Sequence, residues 1–429
     1  SGERRGEEGC SRSAGRGDEV RRQAKTTGTF IVPKWDWQSN LFKESSMSTN
    51  PFFYGRTVSG SAFIDREEEI TEITSSLKRG QSVILFSPRR YGKTSLIKQV
   101  FADLESNGLL VFYLDLYRIT SLERFAAYYS QTVLSSLRSG ADKIFSLVKA
   151  LLPSLKPKLT YTEPNLPSIE LELTLEALRK QSTLPEMFDF LEKYCNKKKL
   201  RGCVVFDEFQ EISGFDVDRR LEREMRSAIQ HHTSVSYAFL GSKMHLMREL
   251  FRDKNRPFYN FGKHVELGTI DAKHWIPFIK AGLKNTGSSF TSEECRRIIV
   301  LTGGHPYYTQ MICSELWEQA VHCGAADVGD LIDGALQAVF ARENHAFIEI
   351  WDALSPAERR LLCALAEKED TALFATEFLQ QYRLGAASSV QRVVERLSKK
   401  GIIDRTGKGY RIIDPVFTHW IMREDQPEL

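Results

Sequence analysis

Eight consecutive residues, Ser87 to Thr94, have the types and the order that bind phosphate. They read Ser-Pro-Arg-Arg-Tyr-Gly-Lys-Thr, between an apolar run at 83–86 and a segment in which apolar residues recur at helical spacing. A strand, a tight loop ending in Gly-Lys-Thr and a helix form the layout of a phosphate-binding loop, whose backbone N–H groups converge on the anion. Lys93 is predicted to reach the terminal phosphates, and the Thr94 hydroxyl is predicted to bind Mg²⁺.

The first position of this loop departs from the usual pattern, because Ser87 stands where a glycine is common. A residue with a Cβ there must avoid positive φ or accept some strain. The residues predicted to contact the nucleotide from this loop are Ser87, Pro88, Arg89, Arg90, Tyr91, Gly92, Lys93, Thr94 and Ser95.

A second motif lies downstream, where an apolar run at 203–206 is followed by Asp207 and Glu208. Strand-end acids of this kind also occur as helix N-caps or solvated loop residues. After a Gly-Lys-Thr loop, however, a buried strand that ends in two acids is typical of a Walker B strand. Asp207 is predicted to hold Mg²⁺, and Glu208 is predicted to orient or deprotonate the attacking water.

Composition indicates a globular protein of two or three domains. The chain has 429 residues and a net charge of +3, which gives no general attraction to nucleic acid. Its seven cysteines form no Cys-x-x-Cys pair, so a reduced, cytoplasmic protein is expected. No apolar stretch approaches the length of a membrane span, and we expect no membrane association.

The elements that position these motifs alternate along the chain. Strands are predicted at 83–86, 109–116, 200–206 and 235–240, with helices near 67–78, 95–104, 121–138, 184–197 and 219–231. The stretch between 139 and 182 is variable in character, and residues 169–175 alternate like an edge strand. Strands with intervening helices predict a parallel, doubly wound α/β sheet with its ligand at the carboxyl ends of the strands.

The C-terminal third is predicted to contain no further sheet of this kind. Helical patterns at 271–284, 291–301, 306–322 and 327–345 indicate a helical lid. Helices at 355–367, 374–382 and 388–400, followed by two short strands at 402–405 and 410–413, indicate a winged helix-turn-helix. The predicted domains are therefore an α/β domain at 47–268, a lid at 269–350 and a winged helix-turn-helix domain at 351–429.

Residues 1–46 differ from the rest, because 1–18 are mostly Gly, Arg, Glu and Ser and cannot form a core. They are predicted to be a disordered extension, and a regulatory tail is the alternative. Five aromatic residues between positions 35 and 54 are interpreted as a docking anchor rather than a base-stacking platform: Trp35, Trp37, Phe52, Phe53 and Tyr54.

Together these motifs resemble the archaeal ATPase family, a part of the STAND group of P-loop NTPases that is related to AAA+ proteins. The likeness spans about 49–421 and includes the entry motif at 63–70, the Pro-Arg-Arg loop, and the motif at 206–211. It also includes Gly241-Ser242, the Gly-Gly-His-Pro-Tyr element at 303–307 and the ending at 414–420. Asp65 replaces the glycine usual in the entry motif.

The resemblance implies further site residues and a cofactor. Ser242 would lie at the sensor position that responds to the γ-phosphate, and Pro306 would pack near adenine. The region from Phe63 to Arg66 would flank the base from the other side. ATP with Mg²⁺ is implied as the ligand, and the preference for adenine over guanine rests on the resemblance alone.

The function expected first is an ATP-dependent conformational switch with slow hydrolysis, in which the lid and the winged helix respond to the nucleotide. A protein partner or self-association is expected to accompany it, with Arg252 or Arg256 as candidates for an arginine supplied between subunits. The main alternative is a DNA-binding ATPase of replication-initiator or transposition-helper type. It would use residues 388–411: Ser388, Ser389, Gln391, Arg392, Arg396, Lys399, Lys400, Lys408 and Arg411. A small-molecule kinase and a binding-only protein are the remaining alternatives.

Overall fold

The computed structural model describes most of the chain from Thr49 to Arg423. The described residues are 49–58, 60–137, 146, 148–149, 156–163, 166–172, 183–284, 286–323, 327–369, 372–407 and 409–423. The predicted extension at 1–46, with Trp35 and Trp37, lies outside them, as does Lys408. Within the described part of the chain, no helix is both long and apolar enough to cross a bilayer.

The centre of the α/β part is a five-stranded sheet in the order β2-β5-β6-β1-β7. Every neighbouring pair in it is parallel, which confirms the predicted sheet type. Its strands are β1 (Val83–Phe86), β2 (Leu110–Asp115), β5 (Gly202–Asp207), β6 (Val235–Gly241) and β7 (Lys263–Glu266). Because β1 and β5 flank β6, the loops that follow all three open at one edge of the sheet.

Helices cover both faces of this sheet. They are α1 (Glu67–Lys78), α2 (Lys93–Ser106), α3 (Leu122–Ser136), α4 (Thr183–Lys198), α5 (Arg220–Ile229) and α6 (Met244–Arg252). Along β1, Val83 and Leu85 pack into one hydrophobic cluster while Ile84 and Phe86 pack into another. Successive side chains of a strand point to opposite faces, so β1 is buried on both sides, as its continuous apolar run predicts.

Two features of this part were not predicted from the sequence. Strand β7 is four residues long and its sequence, Lys-His-Val-Glu, carries charge at both ends, so it lacks the apolar run of a buried strand. In the stretch predicted as variable, β3 (Lys156–Glu163) and β4 (Leu166–Glu172) pair antiparallel as a separate hairpin. The edge strand expected at 169–175 therefore overlaps β4, whose partner is β3 rather than the main sheet.

The C-terminal third is helical apart from one small hairpin, as predicted. Its lid helices are α7 (Ala272–Leu283), α8 (Ser292–Thr302), α9 (Pro306–Cys323) and α10 (Val328–Asp352). The winged helix part contains α11 (Pro356–Glu367), α12 (Thr376–Gln381), α13 (Ala387–Lys399), β8 (Ile403–Arg405), β9 (Tyr410–Ile412) and α14 (Pro415–Ile421).

One hydrophobic core joins the lid to the winged helix. Phe347 on α10 lies 5.2 Å from Phe417, and Trp351 lies 6.0 Å from Trp420, measured between ring centroids. Phe417 and Trp420 belong to α14, so this last helix attaches the winged helix to the lid. The predicted domain boundary at 350 falls within α10, and the division into domains stays a prediction.

Candidate functional site

The phosphate-binding loop connects β1 to α2 with two residues in left-handed conformation. Gly92 has φ +86°, and Arg90 has φ +67°. Ser87 is not among the positive-φ residues; its N–H donates to the Gly241 carbonyl at 3.3 Å and its hydroxyl to the Pro88 carbonyl at 3.1 Å. The serine in place of glycine therefore introduces no backbone strain, because the left-handed positions lie further along the loop.

Lys93, at the start of α2, lies between the two acids of the second motif. Its Nζ is 2.9 Å from Asp207 Oδ1 and 2.9 Å from Glu208 Oε1. Asp207 also accepts the Tyr113 hydroxyl at Oδ2, at 2.6 Å. Tyr113 was not identified from the sequence, although it lies on β2 two residues before the carboxyl end and beside the strand that carries Asp207. Burial raises the pKa of Tyr113, and the Asp207 charge raises it further, so the phenol stays protonated and donates.

Glu208 receives hydrogen bonds on both carboxylate oxygens. Oε1 accepts from Lys93, while Oε2 accepts the Ser242 hydroxyl at 2.6 Å and the Gln210 amide at 2.5 Å. Burial opposes the charged form, but the Lys93 charge and the hydrogen bonds outweigh it and lower the pKa of Glu208. The carboxylate is therefore ionised near neutral pH and in a state to accept a proton.

A cavity of about 610 Å³ lies between the α/β part and the lid, and most of the predicted site residues line it. Those are Phe63, Arg66, Pro88, Arg89, Arg90, Tyr91, Gly92, Lys93, Thr94, Ser95, Glu208, Ser242 and Pro306. Ser87 and Asp207 do not line it, since both are buried behind its wall. The lining combines apolar side chains, among them Phe63 and Pro306, with the charged groups of Arg66, Lys93 and Glu208. This mixed lining suits a nucleotide, whose base is apolar and whose phosphates are anionic.

Another part of the wall comes from the segment at 53–58, which sequence reasoning did not assign to the site. Phe52 is buried against Phe278 of α7 with the ring centroids 5.6 Å apart, and Asn50 donates to the Ser314 hydroxyl at 2.9 Å. At the other end of the segment, the Val58 N–H donates to the Ser95 hydroxyl at 3.1 Å. The segment thus runs from the lid to α2. Phe52 anchors it, which is the docking role predicted for the aromatic cluster, whereas Phe53 and Tyr54 of that cluster line the cavity.

The oxygen donors near Lys93 fit Mg²⁺. Thr94 supplies a hydroxyl and Asp207 a carboxylate, the ligand types that this ion prefers. Both oxygens of Asp207 already accept hydrogen bonds from the protein, so this acid is suited to hold the ion through a bound water. No group of three or more His, Cys, Asp or Glu side chains that could hold a metal occurs among the described residues. A site in which the Thr94 hydroxyl and a water held by Asp207 are completed by phosphates and further water matches the way Mg²⁺ is usually bound.

Arg90 carries the phosphate-binding loop into contact with the lid. Its guanidinium lies 4.3 Å from the ring centroid of Tyr307, 3.3 Å from the Tyr308 hydroxyl and 3.4 Å from Glu343. Tyr308 in turn donates to Asp414, the residue that caps α14. One side chain of the loop is therefore connected through a single tyrosine to the winged helix.

His305 lies between the loop and the wing. Its ring centroid is 4.4 Å from that of Tyr91, and its Nδ1 accepts the Tyr307 N–H at 3.2 Å. Burial lowers the pKa of His305 to about 3, and the positive charges of Arg90 and Arg411 lower it as well. The histidine is therefore neutral near pH 7 and packs against Tyr91.

One strand of the wing contacts the α/β part. Arg248 on α6 contacts Asp404 on β8 through both carboxylate oxygens, at 2.6 and 3.2 Å. At the C-terminal end of α13, the cations Arg396 and Lys400 lie 3.5 and 3.0 Å from Glu358 of α11 and are still exposed. Of the other predicted DNA contacts, Ser388, Ser389, Gln391, Arg392 and Lys399 are exposed, and Arg411 is half-buried.

Of the two arginines considered for a neighbouring subunit, one is buried within this chain and the other is exposed. Arg256 is buried, 3.2 Å from Glu222 and 3.3 Å from the Ser213 hydroxyl. Arg252 is exposed, with its guanidinium 5.2 Å from the ring centroid of Phe86. Arg256 therefore cannot reach another molecule without leaving a buried ion pair.

Comparison with known proteins identifies the two parts of the chain. Residues 63–312 match the family of ATPase domains found predominantly in Archaea, and residues 345–423 match a winged helix domain family. An uncharacterized ATP-binding protein of Methanocaldococcus jannaschii is 27% identical over 171 residues, which are 38% of this chain and 44% of the relative. An uncharacterized WD repeat-containing protein of Synechocystis is 23% identical over 394 residues, 88% of this chain and 31% of the relative. The chain thus spans less than half the length of these curated relatives.

A similar fold occurs in a Walker-type ATPase of Pyrococcus abyssi. Its structure has a TM-score of 0.58 with 19% sequence identity, and the match covers 84% of this chain and 96% of that one. This similarity is one of fold.

Proposed function

The chain belongs to the family of ATPase domains found predominantly in Archaea, and we propose that it is a nucleotide-controlled conformational switch that hydrolyses ATP slowly. The observation that carries the proposal is the pair of contacts from the nucleotide site to the winged helix. Arg90 in the phosphate-binding loop connects to Asp414 through Tyr308. Arg248, on the helix that follows Ser242, connects to Asp404.

The phosphate end of the cavity has the groups that hydrolysis needs. Lys93 offers a cation to the terminal phosphates, and Glu208 offers an ionised carboxylate to the attacking water. Ser242 contacts Glu208 and lines the same cavity, so it can respond both to the Glu208 carboxylate and to a γ-phosphate. Mg²⁺, held by Thr94 and Asp207, would neutralise charge on the phosphates.

Nucleotide binding would change the contacts that hold the lid and the wing. Lys93 now pairs with Asp207 and Glu208, and a phosphate would compete with both acids for its charge. Loss of those ion pairs frees the Glu208 carboxylate and changes its hydrogen bond with Ser242, which lies two residues before α6. Since α6 carries Arg248, a shift at Ser242 would be transmitted to Asp404 in the wing.

The test combines nucleotide binding, hydrolysis and the state of the wing. The chain as it stands, with Mg²⁺, is compared with Glu208→Gln, and with Glu293→Gln on an exposed position as the matched control. We expect Glu208→Gln to bind ATP and to lose hydrolysis, while the control behaves like the original chain. Hydrogen exchange of β8 and β9 should differ between the ATP-bound Glu208→Gln variant and the ADP-bound original chain. Hydrolysis by Glu208→Gln, or identical exchange in the two states, would contradict the proposal.

The alternative of a DNA-binding ATPase has less support from the contacts. Arg396 and Lys400 face Glu358, and the wing strand β8 is tied to α6, so part of the predicted surface is engaged within the chain. Arg392 and Lys399 are exposed and could meet phosphate. Adding duplex DNA to the same assay distinguishes the two: DNA-stimulated hydrolysis with a steep salt dependence would favour the alternative.

A further inference from the structure

We propose that Gln210 is a positioning residue of the hydrolysis site: it holds one carboxylate oxygen of Glu208 so that the other is the one that accepts a proton. This inference rests on the proposed function, in which Glu208 is the base. Gln210 lies two residues after Glu208, is 1% exposed and does not line the cavity. It therefore acts through Glu208 and not on the nucleotide.

The Gln210 amide has only one workable orientation. Its Nε2 donates to Glu208 Oε2 at 2.5 Å and to Glu211 Oε1 at 3.2 Å, so both N–H groups point at carboxylates. Rotating the amide by half a turn would place its carbonyl oxygen against two negative charges. The two acids thus hold the amide, and the amide holds Glu208.

The backbone around Gln210 is also held. Glu208 has φ +50°, and the 3₁₀ helix Phe209–Gly214 begins directly after it. The Phe209 ring is buried in an aromatic cluster, 4.6 Å from Phe239 and 5.5 Å from Phe258 between centroids. With Phe209 anchored in the core, the next side chain is directed at the end of β6.

Gly241 at that end leaves the space that Gln210 occupies. A Cβ on Gly241 would come within 2.5 Å of Gln210 Oε1 and 2.3 Å of Met247 Sδ, closer than such atoms approach. Glycine is needed here because of this close packing. Gly241, next to Ser242, thus leaves the room that the Gln210 side chain needs.

The two carboxylate oxygens of Glu208 accept different numbers of hydrogen bonds. Oε2 accepts from both Ser242 and Gln210, which uses both of its lone pairs. Oε1 accepts from Lys93 and keeps one lone pair free. A proton taken from water is therefore expected on Oε1, on the side of Lys93.

Glu211 supports this arrangement from the other side. Its Oε1 accepts the Lys243 ammonium at 2.7 Å as well as the Gln210 amide. Lys243 is the residue immediately before α6. The position of Gln210, and through it the orientation of Glu208, is thus linked to the helix that contacts the wing.

The test is steady-state ATP hydrolysis by Gln210→Leu, which keeps nearly the same volume and removes both donors. We expect kcat to fall by about 10- to 100-fold, less than the roughly 10²- to 10⁴-fold that general-base catalysis itself supplies, with KM for ATP changed by less than about two-fold. The loss should appear in kcat alone, because Gln210 contacts Glu208 and does not line the cavity. A role limited to packing would change KM together with kcat, because the cavity wall at Ser242 would shift. Gln380→Leu, at an exposed position, serves as the matched control and should leave kcat and KM unchanged.

A second variant keeps the inference testable if Gln210→Leu does not fold. Glu211→Leu, at a half-buried position, removes the second acceptor of the Gln210 amide and should lower kcat by a smaller factor with KM unchanged. Unchanged kcat, or kcat and KM changed together, in either folded variant while Glu208→Gln is inactive would overturn the role of Gln210 and leave the proposed function standing. Hydrolysis by Glu208→Gln would instead overturn the proposed function itself.

Discussion

Arg248 donates a hydrogen bond to each carboxylate oxygen of Asp404, at 2.6 and 3.2 Å, and so ties the helix after Ser242 to the wing. Asp404 lies opposite Arg411 across the hairpin, and the Arg411 charge acts on Tyr91 in the phosphate-binding loop. The wing therefore contacts the helix that follows Ser242, and the charge of its Arg411 acts on the phosphate-binding loop. A winged helix held in this way is suited to respond to changes in that helix and that loop.

The Arg248–Asp404 contact is expected to contribute a measurable coupling energy. Both side chains are partly buried and the contact is bidentate, so a double-mutant cycle of Arg248→Ala and Asp404→Ala should give about 1 kcal/mol. The measurement is urea unfolding of the original chain, both single variants and the double variant. Additive effects of the two substitutions would mean that the pair does not hold the wing.

Lys93→Ala is expected to abolish ATP binding, because the loop loses the cation that faces the phosphates. It should also lower the free energy of unfolding without nucleotide, by about 1–3 kcal/mol, since Asp207 and Glu208 would remain close together without their shared cation. Calorimetric titration with ATP and urea unfolding measure the two effects. Lys254→Ala, at an exposed position, is the control, and ATP binding retained by Lys93→Ala would contradict the assigned role.

The main elements of the fold could be predicted because their residues carry a clear periodicity. Strands β1, β5 and β6 are apolar runs buried on both faces, and the helices of the lid and the winged helix follow the 3.6-residue repeat. Strand β7 has no such run. The last helix α14 was noted only as a family ending, since seven residues are too few for a helical period to stand out.

Site residues that belong to a local sequence motif could be predicted, whereas contacts between segments far apart in the sequence could not. Lys93, Asp207 and Glu208 follow from two local motifs, and the structure brings them together. The contact between Arg90 and Tyr308 joins residues 218 positions apart, and that between Arg248 and Asp404 joins residues 156 apart. Such pairs depend on how the lid and the wing pack, which local sequence does not encode. Gln210 lies within a motif that the sequence shows, but its contact with Glu208 depends on the space left at Gly241 and on the hydrogen bond to Glu211.

Phe52→Ala is expected to loosen the segment that forms part of the nucleotide cavity. The ring is 3% exposed and packs against Phe278, so its removal should cost about 3–4 kcal/mol of unfolding free energy. Because residues 53–58 line the cavity, affinity for ATP should fall as well. Urea unfolding and ATP titration measure both effects, with Phe374→Ala at an exposed position as the control. A loss of stability with unchanged ATP affinity would show that the segment does not contribute to binding.

Substitution of His305 is expected to reduce the acid sensitivity of the fold. The folded pKa of His305 is about 3, below the unfolded value of about 6.5, so between these pH values only the unfolded chain binds the proton. The stability that depends on a neutral His305 is therefore fully present above about pH 6.5, and it is lost from the free energy of unfolding as the pH falls below that value. Between pH 7 and pH 5 this histidine alone should remove about 2 kcal/mol of unfolding free energy.

His305→Gln should remove this part of the pH dependence, whatever its effect on stability at pH 7. His345→Gln, at a side chain that is 89% exposed, should leave the pH dependence as it is in the original chain. Urea unfolding of the three proteins at pH 7, 6 and 5 gives the comparison. Equal losses of stability in His305→Gln and the original chain would mean that His305 titrates normally and that the wing leaves it open to water. A smaller loss in His305→Gln would instead place a neutral, desolvated histidine between Tyr91 and the wing, where protonation would have to separate the two.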